Sequence, residues 1–262
     1  MAEPTPDQVV RATVSAGVAT ITLDSPSNRN ALSSALIAQL LRALAAARED
    51  DSVRAIVLSH TGPVFCSGAD LKETAAAAAA GQIPAGRLGA VLEAIWDSPK
   101  PVLARVAGPA RAGGLGLIAA ADLAVCTTEA TFAFSEVRIG VIPAVISATV
   151  LRRLAPRAAA ELYLTGDVFD GVRAAEIGLV TRAVAADRLD ETVAAFASSL
   201  VLGAPKALAG AKDLLHRPAG VTLGEELEQL TALSVEFFGS AEGREGIAAF
   251  REKRPAAWVP QS

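Results

Sequence analysis

The sequence predicts an α/β fold of stacked strand–strand–helix turns, closed by an all-helical C-terminal region. Three observations carry that reading. Short apolar runs alternate with helical periodicity over the first two thirds of the chain, and beyond Asp187 the periodicity is helical throughout. Between them, Pro101–Ala107, Gly113-Gly114 and Leu115–Ala121 read as strand, glycine turn and helix. A chain of 262 residues suits one large domain or a domain with an appendage. The change in character near 185–205 divides it into a core over 1–195 and a helical region over 196–262.

Val9–Val14 and Val18–Leu23 flank Ser15-Ala16-Gly17 as a hairpin would. Asp24–Asn30 is nearly all turn formers. Ala31–Arg48 follows as an amphipathic helix, with Leu32, Leu36, Leu40 and Leu44 at helical spacing. Val53–Leu58 predicts a buried strand. The loop from His60 to Asp70 enters another helix, where Asp70 and Glu73 have capping-box spacing. The low-complexity run Ala75–Ala80, ended by Gly81, reads as a mobile helix end or surface segment. Leu88–Trp96 is helical, and Asp122–Cys126 and Ala130–Phe134 are strand-like. Val145–Leu154 and Ala158–Leu164 are helices split by Pro156. Ala174–Gly178 is a short helix and Leu179–Val184 a strand. Leu189–Leu202, Lys206–His216, Leu223–Phe238 and Glu242–Arg251 complete the helical part.

Composition narrows the function classes. Apolar residues make up 52% but aromatics only 4%, so the core must be aliphatic. Residues 1–8 carry neither a basic n-region nor an apolar h-segment, and no apolar run is long enough to span a bilayer. Cys66 and Cys126 are too few for a disulfide framework, and neither has metal-ligand spacing with His60 or His216. The formal charge of −4 offers no overall attraction to nucleic acid or anionic membrane. A cytoplasmic protein without metal, nucleic-acid or membrane partner is expected.

The glycine turn is the chemical centre of the sequence. A helix starting there leaves unpaired N–H groups at the positive end of its dipole. Such a place suits an oxygen that gains negative charge, and glycine lets that oxygen approach without a Cβ in the way. A tight strand-to-helix connection explains the same residues. Glu136 sits between the apolar stretches Ala130–Phe134 and Val137–Pro143, where desolvation would raise its pKa towards acid/base use. The competing reading pairs it with Arg138 at the surface. Asp70 is a helix cap rather than a base. His60 and His216 are structural or exposed rather than catalytic, and Gly166 stops a helix.

Several of these stretches match one family. Phe65–Leu71 (FCSGADL) and Gly108–Gly116 (GPARAGGLG), closed by Ala121-Asp122-Leu123, resemble the two oxyanion-hole segments of the crotonase (enoyl-CoA hydratase/isomerase) superfamily. Asn28–Leu32, Ser135–Gly140, Leu164–Gly166 with Ala174–Val180, and Phe250–Arg254 fit as well, in family order from about residue 9 to 254. The resemblance implies a spiral of ββα turns with a C-terminal region supporting a homotrimer or a dimer of trimers. It implies an acyl-CoA substrate, with coenzyme A entering as part of that substrate and no separate cofactor.

By position, the Ala69 and Gly113 amides would hold the thioester oxygen and Glu136 would move the proton. Arg29, Ala31, Leu32, Ser67, Asp70, Leu71, Gly114, Gly116 and Lys253 would contact the substrate. Among these, Arg29 and Lys253, with Arg254, would meet the coenzyme A phosphates. Ala144–Thr149 and the loop around Lys72–Leu88 would wall the acyl pocket. Gly116 stands where the well-known hydratases carry a second glutamate. The stretch from Ser135 to Ala144 resembles a single-glutamate hydratase branch that includes methylglutaconyl-CoA hydratase-like proteins. The expected reaction is hydration of a 2-enoyl-CoA to a 3-hydroxyacyl-CoA. Δ3,Δ2-enoyl-CoA isomerisation and a non-catalytic CoA-binding scaffold are the alternatives. Ala144, where dehalogenases and dienoyl-CoA isomerases use an aspartate, speaks against both of those.

Overall fold

The computed structural model describes residues 8–79, 86–217, 220 and 222–260. Residues 1–7, Ala80 and Gly81, on which the targeting and low-complexity readings partly fall, lie outside them. The chain opens with β1 (Val10–Ser15) and β2 (Val18–Leu23), an antiparallel hairpin with Ala16 at φ +48° and Gly17 at +79°. Two positive φ values in a two-residue loop match the right-handed twist of the flanking strands.

β2 then pairs in parallel with β3 (Ala55–His60), which is buried throughout. Parallel pairing continues through β4 (Val102–Val106), β6 (Leu123–Thr127) and β9 (Arg182–Val184). A sheet buried on both faces needs apolar side chains on both, and β3 supplies them. Ile56 and Leu58 join the larger core, with Leu36 and Leu40 of α1 (Ser34–Glu49), while Val57 faces the other way. There Val57, Leu103 and Val125 meet Leu189, Val193 and Ala197 of α8 (Leu189–Val201). The candidate boundary at 195/196 falls inside α8, which covers the sheet.

A second, three-stranded sheet joins β5 (Ala110–Arg111), β7 (Thr131–Ala133) and β8 (Phe169–Asp170). Its outer strands have two residues each, too few to show a period in the sequence. The remaining core helices are α2 (Leu71–Ala79), α3 (Gly86–Trp96), α4 (Gly113–Ala120), α5 (Ala144–Val150), α6 (Pro156–Thr165) and α7 (Gly171–Glu176).

Three boundaries differ from expectation for identifiable reasons. α1 starts at Ser34 rather than Ala31, because buried Asn30 at φ +53° receives the Ser25 amide and donates to the Thr61 and Val64 carbonyls. Those bonds hold the preceding segment as a turn, and Ser33 caps the helix by accepting from the Leu36 amide at 3.2 Å. The strand expected at Val53–Leu58 runs two residues later. α5 ends at Val150, and Pro156 opens α6 at its first turn, where a missing N–H is harmless.

The C-terminal helices are α9 (Pro205–Leu215), α10 (Leu223–Gly239) and α11 (Ala241–Glu252). One buried ion pair ties α9 to the core. Lys212 Nζ lies 2.8 Å from Asp122 Oδ2 and 3.0 Å from the Ile95 carbonyl, and Asp122 also accepts the Val102 amide. α10 buries none of its side chains within the chain and exposes Leu223, Leu227, Val235 and Phe238. Phe250 of α11 is 86% exposed.

Candidate active site

Two loop segments meet at the start of α4. In the first, Phe65 and Cys66 are buried, and Cys66 bridges Ala110 through bonds to Pro109 and Arg111. Gly68 follows at φ +89°; a Cβ there would lie 3.0 Å from Ala112 Cβ and 3.2 Å from the Arg111 oxygen. Its carbonyl accepts the Leu32 amide at 2.8 Å, and Leu32 bridges Ala69 in parallel register. In that register the Ala69 N–H faces away from the Leu32 segment, and it donates to no acceptor among the described residues.

Asp70 then caps α2, accepting the Lys72 and Glu73 amides at 3.0 and 3.2 Å. The expected reciprocal capping box is not made. Glu73 instead accepts the Ser34 amide at 2.8 Å, because the starts of α1 and α2 lie side by side and Ser34 carries an orphan N–H.

The second segment turns on Ala112, whose φ of +48° and ψ of −117° suit glycine far better than alanine. The turn ends the β5–β7 ladder and starts α4 at Gly113. As the first residue of the helix, Gly113 has no acceptor for its N–H among the described residues. A Cβ on Gly113 would lie 2.5 Å from Leu32 Cδ1, 3.3 Å from Leu88 Cδ2 and 3.9 Å from Gly68 Cα, so the two segments are in contact. Gly114 packs beneath them on Cys66.

The small sheet brings in the carboxylate. β5 pairs with β7 through Ala110–Phe132 and Arg111–Ala133, and the Ala112 amide donates to the Ala133 carbonyl at 3.4 Å. Three residues past Ala133, Glu136 lies in a 3-10 turn over Ser135–Ile139. Its residue exposure is 9%, and its buried Oε2 has no hydrogen-bond partner among the described residues. Burial pushes its carboxyl pKa up, partly offset by a main-chain hydrogen bond. The surface pairing with Arg138 is not formed. Arg138 instead reaches Asp167 at 2.6 Å and the Thr165 carbonyl at 2.7 Å, beside Gly166, which ends α6 at φ +65°.

Gly116 leaves no room for a larger side chain. A Cβ there would lie 2.5 Å from Ile146 Cγ2 and 3.4 Å from Leu92 Cδ2. α5 therefore fills the space beside α4. A cavity of about 180 Å³ lies along the first segment, lined by Leu32, Ala69, Asp70, Arg87, Leu88 and Val145 among others.

The remaining candidates separate clearly. Ala31 is buried, and the Arg29 carbonyl receives the Ser67 amide at 3.1 Å. Leu71 is 67% exposed at the start of α2. Lys253 caps α11 with φ +55° and does not line the cavity, and Arg254 is engaged by Glu245 and Glu252. Ser34, at the start of α1, lines the cavity and was missed in the sequence because that helix start has no motif of its own; Glu73 of α2 and Arg87 of α3, from the expected Lys72–Leu88 wall, line it too.

The histidines and cysteines have structural surroundings. His60 Nε2 accepts the Ala107 amide at 3.0 Å, and its burial lowers its pKa. His216 stacks on Trp96 at 4.0 Å. Burial pushes both thiols up to about 12, which makes them unreactive. Among the described residues, no three His, Cys, Asp or Glu side chains gather as a metal site would require.

The architecture is a crotonase fold. AtuE of Pseudomonas aeruginosa superposes with a TM-score of 0.90 at 36% identity, covering 96% of this chain and 100% of that one. An enoyl-CoA hydratase of Mycobacterium smegmatis gives 0.87 at 34% identity, covering 96% and 99%. A Rhizobium meliloti protein named "Probable enoyl-CoA hydratase" is 35% identical over 240 residues, covering 91% of this chain and 93% of its own. The chain belongs to the enoyl-CoA hydratase/isomerase family, which it matches over residues 13–261.

Proposed function

We propose that the protein hydrates the conjugated double bond of a 2-enoyl-CoA thioester to give the 3-hydroxyacyl-CoA. The thioester oxygen accepts from the Ala69 and Gly113 amides, which polarises the double bond. Glu136 takes a proton from water as the water oxygen bonds to C3 and the π electrons move onto the thioester oxygen. Glu136 then returns that proton to C2, and the enolate collapses. Water supplies both the OH on C3 and the H on C2, so the step balances with one carboxylate. Two oriented N–H groups in a dry site hold developing oxyanion charge far better than water does.

One observation carries this reading: a buried carboxylate with an unpartnered oxygen, three residues beyond a strand laddered to the glycine turn. Ser67, Gly114 and Gly116 serve by main-chain position. Arg29 and Lys253 are proposed partners of the coenzyme A phosphates, with Arg87, which lines the cavity, added. Coenzyme A arrives with the substrate, and no step calls for another cofactor.

The exposed apolar side chains of α10 and α11 support a homotrimer or a dimer of trimers, with residues 196–262 as the assembling part. Among the described residues no single helix is long and apolar enough to cross a membrane, in keeping with a cytoplasmic enzyme. The test is optical. Crotonyl-CoA should lose its conjugated absorbance with the wild-type protein. A 3-enoyl-CoA that gains absorbance while crotonyl-CoA is untouched would make the protein an isomerase. No change in either would make it a scaffold.

A further inference from the structure

With Ile146 filling the space beside Gly116, one carboxylate must orient a water that two would otherwise hold. Tyr163, the only tyrosine in the chain, lies on the helix beside the turn that carries Glu136. It belongs to α6, which packs against the 3-10 turn carrying Glu136. Its ring lies 4.6 Å from that of Phe134, two residues before the carboxylate. Its hydroxyl is 3.4 Å from Ser147 Oγ on α5.

Ser147 Oγ also lies 2.7 Å from the Pro143 carbonyl. A serine has one proton, and the nearer carbonyl takes it. The Tyr163 proton is then turned back towards Ser147 Oγ, which leaves the phenolic oxygen free to accept. Burial and the Glu136 charge both hold the Tyr163 hydroxyl above an ordinary tyrosine, so it is protonated at neutral pH.

We propose that Tyr163 is a second catalytic residue, whose phenolic oxygen accepts one hydrogen of the attacking water while Glu136 Oε2 accepts the other. This rests on the hydratase reading. With both hydrogens held, the water oxygen presents a lone pair to C3. One O–H bond breaks towards Glu136 as the O–C3 bond forms, and Tyr163 keeps its own proton throughout. Exchange of the C2 proton of a saturated acyl-CoA needs only Glu136 and the two amides.

That difference separates the roles. Tyr163→Phe should lower kcat for crotonyl-CoA hydration about tenfold or more, the worth of one hydrogen bond, at unchanged KM. Exchange of the C2 protons of butyryl-CoA into deuterated water should stay at the wild-type rate. Ultraviolet titration of the single tyrosine should shift to lower pH in Glu136→Gln. Wild-type hydration by Y163F would overturn the proposal, as would an equal loss of hydration and exchange. If Y163F does not fold, Ser147→Ala carries the test: reduced hydration with full exchange supports the chain of hydroxyls, and unchanged hydration overturns it. A wild-type protein that exchanges C2 protons but never hydrates crotonyl-CoA would instead overturn the hydratase reading itself.

Discussion

The two halves of the candidate site are made of different material. Around Ala69 and Gly113 the proposed active groups are main-chain amides, fixed by the Leu32–Ala69 and Cys66–Ala110 bridges and by glycines that a Cβ would displace. Around Glu136 and Tyr163 the groups are side chains held by burial, and the Glu136 Oε2 has no partner among the described residues. The main-chain side needs only the right backbone path, so it stabilises charge whatever the reaction. In the proposed reaction the side-chain half decides which proton moves and where water attacks. Changes on the two sides should therefore fail differently.

The largest effect should come from the carboxylate. Glu136→Gln is expected to lower hydration by about 10²–10⁴-fold, the range for losing a positioned acid/base, with acyl-CoA binding retained by calorimetry. The same variant should melt higher than wild type at neutral pH. A carboxyl whose folded pKa is raised favours folding below the unfolded value of about 4.3 and loses that contribution as pH rises through the folded value. The difference in Tm should therefore vanish in acid.

Disturbing the main-chain side should cost activity and stability together. Gly68→Ala forces a Cβ against Ala112 and the Arg111 carbonyl at a φ of +89°. Hydration should fall by up to about 10²-fold as the Ala69 donor shifts, with a lower denaturant midpoint. A smaller effect is expected from pH alone. The acid limb of kcat/KM should have its midpoint above the ordinary glutamate range, because protonated Glu136 cannot accept from water. The smallest change should follow Ala112→Gly. It relieves about 1–3 kcal/mol of backbone strain against about 0.4–1 kcal/mol from a more flexible unfolded chain, so a slightly higher Tm with full activity is expected.

The same contrast explains what the sequence disclosed. The stacked strand and helix order was legible, because apolar periodicity is a local property. The family resemblance pointed to the glycine turn, Ala69 and Glu136; the Cys66–Ala110 bridge and the β5–β7 ladder join the first two segments to the strand three residues before Glu136. The strain at Ala112 was not legible, since nothing in an alanine's side chain announces a positive φ. Glu73 had the spacing of a capping box but bonds to α1, a tertiary choice between two helix starts. Arg138 pairs with Asp167 rather than Glu136 because α6 ends beside it. Tyr163 has no motif around it in the sequence; only the packing of α5 and α6 sets its hydroxyl beside Ser147.

The most direct measurement is the structure of the Glu136→Gln protein crystallised with a 2-enoyl-CoA. The thioester oxygen is expected within about 3.1 Å of both the Ala69 and Gly113 nitrogens, with C2 and C3 facing residue 136. An oxygen turned away from either amide, or reacting carbons out of reach of residue 136, would contradict the assignment.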